Sequence, residues 1–405
     1  MTVAQPDVTV VIGAYEAMPY LVECLESVEA QTIDRTRIEV IAVDDGSKDG
    51  TGEYLEEFAA RAAMPVTVIR QDNSGGPSGP RNVGLGKAAG RYVFFLDADD
   101  RLGPEALERM VALADENGTD VVLGKVEGVN RGAPKSMWGK TVGRTDVFSS
   151  NIKFTLSAQK LFRRELLERH GMRFDESLWT GEDALFTMEA YLRADGVSVV
   201  ADYTCYYLVG REDGKHVTKT GGYSLRFDSA RALMTLLAEL LPPGPKRDSL
   251  MVRPFIVTLL PQFGPQFLKD SEEVRRRKFE LAKPLMDAYW NDGIARRLKV
   301  HERLRLHLVA SGRPDLLEEV VKFVRAKTQA PAMLERGGRR LYLVYPYFRD
   351  TGAGIPDSVY RAEASEARPF PGYREDRSFL RRATRKARRV LSTRPSASGG
   401  RAAAA

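Results

Sequence analysis

Cysteine and histidine are scarce in this 405-residue chain, which has two of the first and four of the second. Cys24 and Cys205 both fall in apolar periodic segments, so they read as buried reduced thiols rather than a disulfide, and no cysteine-based metal centre can be built. Long hydrophobic runs are missing too. Residues 1 to 7 carry no apolar targeting stretch, and the most apolar later region, Leu250 to Phe267, is broken by Arg253, Pro254 and Pro261. A membrane-spanning helix is therefore not expected, and the chain reads as cytoplasmic. No G-x-G-x-x-G follows the first apolar strand, which argues against a nicotinamide dehydrogenase. Gly13 alone does not supply the glycine-rich signature of a sugar-phosphate nucleotidyltransferase at that place. No internal repeat is present.

Positive charge is abundant only locally. The net charge is +6, but between Tyr373 and Arg401 ten Lys or Arg face only Glu375 and Asp376, an excess of +8 that leaves about −2 for the remainder. Within this tail Leu380, Ala383, Ala387 and Leu391 recur at helical intervals among Arg381, Arg382, Arg385, Lys386, Arg388 and Arg389. Such a pattern suits peripheral contact with the inner face of a membrane, with a disordered solvated tail as the alternative. A near-neutral body gives no reason to expect a nucleic-acid partner. A second basic stretch, Lys125 to Arg164, has nine Lys or Arg against Glu127 and Asp146.

The first half alternates strand and helix. Val8–Ile12, Ile38–Val43, Val66–Ile69 and Tyr92–Leu96 read as strands, with helices over Leu21–Val28, Thr51–Ala63 and Arg81–Ala89 between them. This predicts an α/β fold with a mainly parallel sheet and helices on both faces. A helix from Pro104 to Asn117, a strand from Asp120 to Val126, a loop over 130–153, helices over Leu161–His170 and Glu182–Leu192, and strands at Val197–Val200 and Cys205–Leu208 follow. The expected division is a catalytic domain over 1–222, a helical linker over 223–330, a small β region over 331–370 and a basic, partly disordered tail over 371–405.

The most informative feature is Tyr92-Val93-Phe94-Phe95-Leu96-Asp97-Ala98-Asp99-Asp100, an apolar run ending in three carboxylates. Ligands of open α/β sheets sit beyond the carboxyl ends of the strands, and hard carboxylate oxygens suit magnesium or manganese. The plain alternative is a polar turn in which Asp100 caps the following helix. Two further acidic stations, Asp44-Asp45 and Gly181-Glu182-Asp183, stand in comparable contexts.

Together with Val11-Ile12-Gly13-Ala14-Tyr15, Val43 to Thr51, Asn73-Ser74-Gly75-Gly76-Pro77 through Arg81-Asn82, Phe94 to Asp100 and Gly181 to Phe186, these stations closely resemble the family 2 glycosyltransferases of the GT-A fold. The resemblance spans roughly residues 7 to 215, about half the chain. It implies an inverting, metal-dependent transferase acting on a nucleotide-sugar, with Mn2+ or Mg2+. Asp99 is then the metal ligand, and Asp97 and Ala98 contact the donor or metal-bound water. Asp45 meets the base, taken as uracil, and Asp44 either supports the donor or caps its turn. Ala14 and Tyr15 belong to the base pocket, although Gly13-Ala14-Tyr15-Glu16 departs from the usual Pro-x-Tyr-Asn. Pro77, Arg81 and Asn82 line the nucleotide pocket, with Arg81 alternatively a surface residue.

By the same resemblance Asp183 is the catalytic base. Glu182 orients the acceptor or caps its helix, and Trp179 stacks on a sugar or packs. Arg211 clamps phosphate and His216 contacts metal or phosphate, or both are exposed loop residues. No Gln-x-x-Arg-Trp segment is present, against a processive polymer synthase. Lys160 to Phe186, Arg211 to His216 and Leu304 to Val324 further resemble bacterial wall teichoic acid glycosyltransferases, which implies UDP-N-acetylglucosamine as donor and a polyol-phosphate glycopolymer as acceptor. The basic Lys125 to Arg164 stretch fits phosphodiesters. Other surface polysaccharides or lipid-linked acceptors, and a non-catalytic nucleotide-sugar-binding protein, are the alternatives.

Overall fold

Residues 5–133, 137–211, 222–335 and 340–367 are described by the computed structural model. The β-branched and aromatic runs form strands Val8–Ala14 (β1), Ile38–Asp44 (β2), Val66–Arg70 (β3) and Tyr92–Asp97 (β4), joined by helices Tyr20–Glu29 (α1), Thr51–Arg61 (α2) and Ser78–Leu85 (α3). Next come Arg101–Leu102 (β5), Ala106–Asn117 (α4), Val121–Val129 (β6), Val142–Thr145 (β7), Leu161–Arg163 (β8), Arg164–Arg169 (α5), Glu182–Arg193 (α6) and Val197–Val209 (β9). All nine strands share one sheet, ordered β3-β2-β1-β4-β8-β6-β9-β5 with β7 against β9.

From β3 to β4 the sheet is parallel, as the alternating sequence predicts. Beyond β4 it is mixed: β8 runs antiparallel to both β4 and β6, while β6 and β9 are parallel. The expected helix over Leu161–His170 is therefore strand first and helix second, because Leu161 and Phe162 fill the sheet between β4 and β6. The two expected strands at Val197 and Cys205 are one, with its register to β6 shifted around Lys125. The expected loop over 130–153 contains β7.

Both faces of the sheet are covered, as the period of two demands. Val8, Val10, Ile12, Phe94 and Leu96 pack with Leu21, Leu25 and Phe58, and with Leu107 and Met110 of α4. Phe95, one residue out of step with Phe94 and Leu96, instead meets Phe162, Phe174 and Phe186, with ring centroids 5.0 to 5.9 Å away. That second cluster fixes α6, and hence the third acidic station, against the sheet.

Two compact units divide the chain at Arg297 and Leu298. Tyr223–Leu240 (α7), Pro245–Arg253 (α8), a π-helical segment Pro254–Leu259, Glu272–Tyr289 (α9) and Asp292–Ala295 (α10) belong to the first. The second holds Val300–Ala310 (α11), Pro314–Arg325 (α12), Ala364–Ala367 (α13) and an antiparallel sheet of Ala332–Leu334 (β10), Leu341–Leu343 (β11) and Arg361–Ala362 (β12). Arg303 of α11 is buried there and donates to the carbonyls of Val359 at 2.8 Å and Leu298 at 3.3 Å. No helix among the described residues is long and apolar enough to cross a membrane. The basic tail lies outside the described residues.

Candidate active site

The three acidic stations stand where the topology puts them, at the carboxyl ends of β2 and β4 and at the start of α6. Gly181 precedes α6 with φ of +89°, and a β-carbon there would meet Ser229 of α7 at 2.8 Å, so this corner accepts only glycine without strain. One cation joins two of the stations. Arg81, on α3, reaches Asp97 Oδ1 at 2.8 Å and Glu182 Oε1 at 3.1 Å. It also lies 5.3 Å from the centroid of the Phe174 ring. Arg81 is buried and not at the surface; its guanidinium pairs with carboxylates, which favour its protonated form.

Asp97 closes β4. Its second oxygen accepts from Gln159 Nε2 at 2.6 Å, and its backbone N–H donates to the Tyr206 hydroxyl at 3.3 Å. The chain then turns, with the Asp100 N–H donating to the Asp97 carbonyl at 3.0 Å, and Ala98 is buried in that turn. Asp99 has no side-chain hydrogen-bond partner among the described residues. Burial and the neighbouring Asp97 push its pKa up to about 6, while Arg211 opposes the shift. Asp100 does not cap the following helix. It is buried and accepts from the Tyr206 hydroxyl at 2.8 Å and the Val209 N–H at 2.7 Å, and burial, with Asp97 and Asp99, pushes it up to about 8.

Around the third station the carboxylates are equally crowded. Burial and the charge of Asp183 raise Glu182 to about 7, against the pull of Arg81. Asp183 accepts from the Ala184 N–H at 2.6 Å. Burial raises its pKa, while Arg81, Arg253 and Lys160 favour its charged form. Lys160 is buried and donates to the Ser157 carbonyl, and burial lowers its pKa to about 7. Lys160 and Gln159 border a groove that also includes Trp138, Ser157, Thr155 and Gly124.

The nucleotide-side residues divide into groups. Asp45 is buried and accepts from Gln71 Nε2 at 2.6 Å and Ser74 Oγ at 2.9 Å, which fastens the glycine-rich loop. Asp44 accepts from the Ser47 N–H at 3.1 Å and faces Arg70 at 3.4 Å. Ala14 is buried, its carbonyl accepting from the Asp45 N–H at 2.8 Å, whereas Tyr15 is 53% exposed. Pro77 is half-buried just before α3. Asn82 braces the segment before α6: it bonds the Phe174 carbonyl at 2.9 Å, the Phe174 N–H at 2.8 Å and Glu176 at 2.8 Å. Trp179 is 43% exposed. Arg211 donates to the Glu16 carbonyl at 3.0 Å and lies over the Tyr20 ring, so the position that departs from the usual first-strand motif is one Arg211 touches. His216 lies outside the described residues. Gln159, Tyr206 and Arg253 are the residues sequence reasoning missed.

A mixed sheet carrying carboxylates at the ends of the two strands that flank β1, with a further acidic pair at the start of α6, defines a nucleotide-sugar transferase type of α/β domain. Residues 9–171 match the family described as Glycosyl transferase family 2, and residues 225–321 match the Glycosyl transferase TarS linker domain. The chain thus carries a family 2 glycosyltransferase domain followed by a linker of the TarS kind. The poly(ribitol-phosphate) beta-glucosyltransferase of Bacillus spizizenii is 42% identical over 212 residues, 52% of this chain and 33% of that protein. The poly(ribitol-phosphate) beta-N-acetylglucosaminyltransferase TarS of Staphylococcus aureus is 40% identical over 211 residues, 52% of this chain and 36% of that protein. The chain therefore spans about a third of the length of these relatives. The crystal structure of S. aureus TarS 1-349 in complex with UDP-GlcNAc superposes with a TM-score of 0.75 at 29% identity, covering 84% of this chain and 97% of that one.

Proposed function

We propose that the chain transfers N-acetylglucosamine from UDP-N-acetylglucosamine, with inversion, to a hydroxyl of a polyol-phosphate polymer such as a teichoic acid. The observation that carries this reading is the meeting of the second and third acidic stations at Arg81, in a fold matched by TarS bound to UDP-GlcNAc. Asp183 accepts the acceptor hydroxyl's proton as its oxygen bonds to the anomeric carbon. The carbon–oxygen bond to the diphosphate breaks, and its electron pair leaves with UDP. Burial raises the pKa of Asp183 and makes it a better base than an exposed aspartate, while Arg81 and Arg253 oppose that rise and favour its charged form.

Asp99 fits a divalent cation, because its carboxylate has no side-chain hydrogen bond among the described residues and burial and Asp97 disfavour its charge, and magnesium or manganese is commonly held by one or two carboxylates plus substrate phosphates. Such an ion would neutralise charge on the leaving diphosphate. Among the described residues no three His, Cys, Asp or Glu side chains cluster to hold a metal alone. The test is a UDP-sugar panel with manganese or EDTA, run with poly(ribitol phosphate) and read by mass spectrometry and anomeric NMR. A β-linked N-acetylglucosamine product is expected. A preference for UDP-glucose would move the reading towards the B. spizizenii relative's named sugar, and a retained anomer would overturn the single-base mechanism.

A further inference from the structure

Asp100 is the acidic residue of the β4 turn that neither the proton transfer nor the cation uses, yet it is the most completely enclosed of the three, at 2% exposure. Its carboxylate is spent on one strand. Oδ2 accepts from the Tyr206 hydroxyl at 2.8 Å and Oδ1 from the Val209 N–H at 2.7 Å, and both donors belong to β9. The Tyr206 hydroxyl in turn accepts from the Asp97 N–H at 3.3 Å. Beyond Val209, the Gly210 N–H donates to the Val129 carbonyl at 2.8 Å, and the next residue is Arg211. The turn that presents Asp97 and Asp99 is thereby tied, through one buried and one part-buried bond, to the strand end that presents Arg211.

We propose that Asp100 is a positioning residue that holds Arg211 in register with the Asp97–Asp99 turn, so that the nucleotide diphosphate meets the arginine and the acidic turn at a fixed separation. This rests on the reading of Arg211 as a diphosphate contact. An asparagine cannot replace the carboxylate. Its single oxygen can replace the carboxylate oxygen at Val209 or the one at Tyr206 but not both, and an amide N–H turned to Tyr206 leaves that hydroxyl's own proton without the acceptor it has in Asp100.

Because Asp100 acts through Arg211, the test is a double-mutant cycle on UDP affinity, measured by calorimetry in magnesium buffer. Arg211→Ala and Asp100→Asn should each weaken UDP binding, the second by about tenfold. The double variant should bind no more weakly than Arg211→Ala alone. Additive losses would overturn the proposal, since they would place Asp100 outside the arginine's action. Should Asp100→Asn fail to fold, Tyr206→Phe removes one of the two bonds and enters the same cycle with the same criterion. Unchanged affinity in Arg211→Ala would remove Arg211 from the donor site and this proposal with it. A coupled cycle in a protein that transfers no sugar would leave the proposal standing and overturn the proposed function instead.

Discussion

Replacing Arg81 by glutamine probes the centre of the site. Arg81 is nine-tenths buried at the side chain and bridges Asp97, 30% exposed, and Glu182, 8% exposed. Breaking a buried ion pair by removing one partner costs about 3–5 kcal/mol, because the remaining charge stays buried. Asp97 keeps Gln159 and some solvent, so Glu182 bears most of the loss and the lower end of that range, about 3 kcal/mol, is expected once Glu182 is fully ionised. The pH dependence has a definite sign. Glu182 rests at about 7 in the folded protein against an ordinary 4.5, and Arg81 is one of the forces holding it down. Without Arg81 the folded value climbs further. A group so raised supports the fold while protonated and withdraws that support as pH rises through its folded value. The deficit should therefore be small near pH 5 and grow as pH rises above about 7 towards the higher folded value that Glu182 takes in the variant. Urea denaturation of wild type, Arg81→Gln and Arg81→Gln/Glu182→Gln across that range measures it, and the double variant should recover most of the loss at pH 8. A loss below about 1 kcal/mol, or one that does not change with pH, would refute the claim that Arg81 serves to neutralise these carboxylates.

Asp183→Asn should retain UDP affinity while kcat falls by about a thousandfold, the scale of a lost general base; single-turnover mass spectrometry with calorimetry in parallel checks both. Asp99→Ala should make UDP affinity equal in manganese and in EDTA, whereas wild type should bind more tightly in manganese, as calorimetry would show. Arg253, whose buried Nε has no hydrogen-bond partner among the described residues, favours the ionised form of Asp183. Arg253→Met should therefore move the acidic limb of the kcat/KM profile to higher pH, because the base then holds its proton more strongly; an unmoved limb would separate α8 from the chemistry.

The parts of the site that sequence made legible are those set by local periodicity. A buried strand announces itself by an apolar run, and the carboxylates that end Ile38–Asp44 and Tyr92–Asp97 follow from where those runs stop. What joins them is non-local. Arg81 lies 16 residues from Asp97 and 101 from Glu182, and nothing in the Pro77 to Asn82 segment reveals that its arginine pairs with carboxylates. Asn82 was opaque for the same reason, its partners lying 92 and 94 residues away.

Gln159 is the exception, since a local error hid it. Reading Leu161 to His170 as one helix put the residues before it on a loop of no particular place. As a strand, Leu161 pairs with Phe94 in antiparallel register, so the residue two before Leu161 lies level with the residue two after Phe94, one short of Asp97. Gln159 is then bound to stand beside the acidic station, and its amide reaches Asp97 at 2.6 Å. Leu161 and Phe162, apolar and followed at once by Arg163-Arg164, are as compatible with a three-residue buried strand as with a helix start, because so short a run carries no usable period. The choice between them was decided by the sheet, which leaves between β4 and β6 a gap that only another strand can fill while satisfying the backbone groups on both edges.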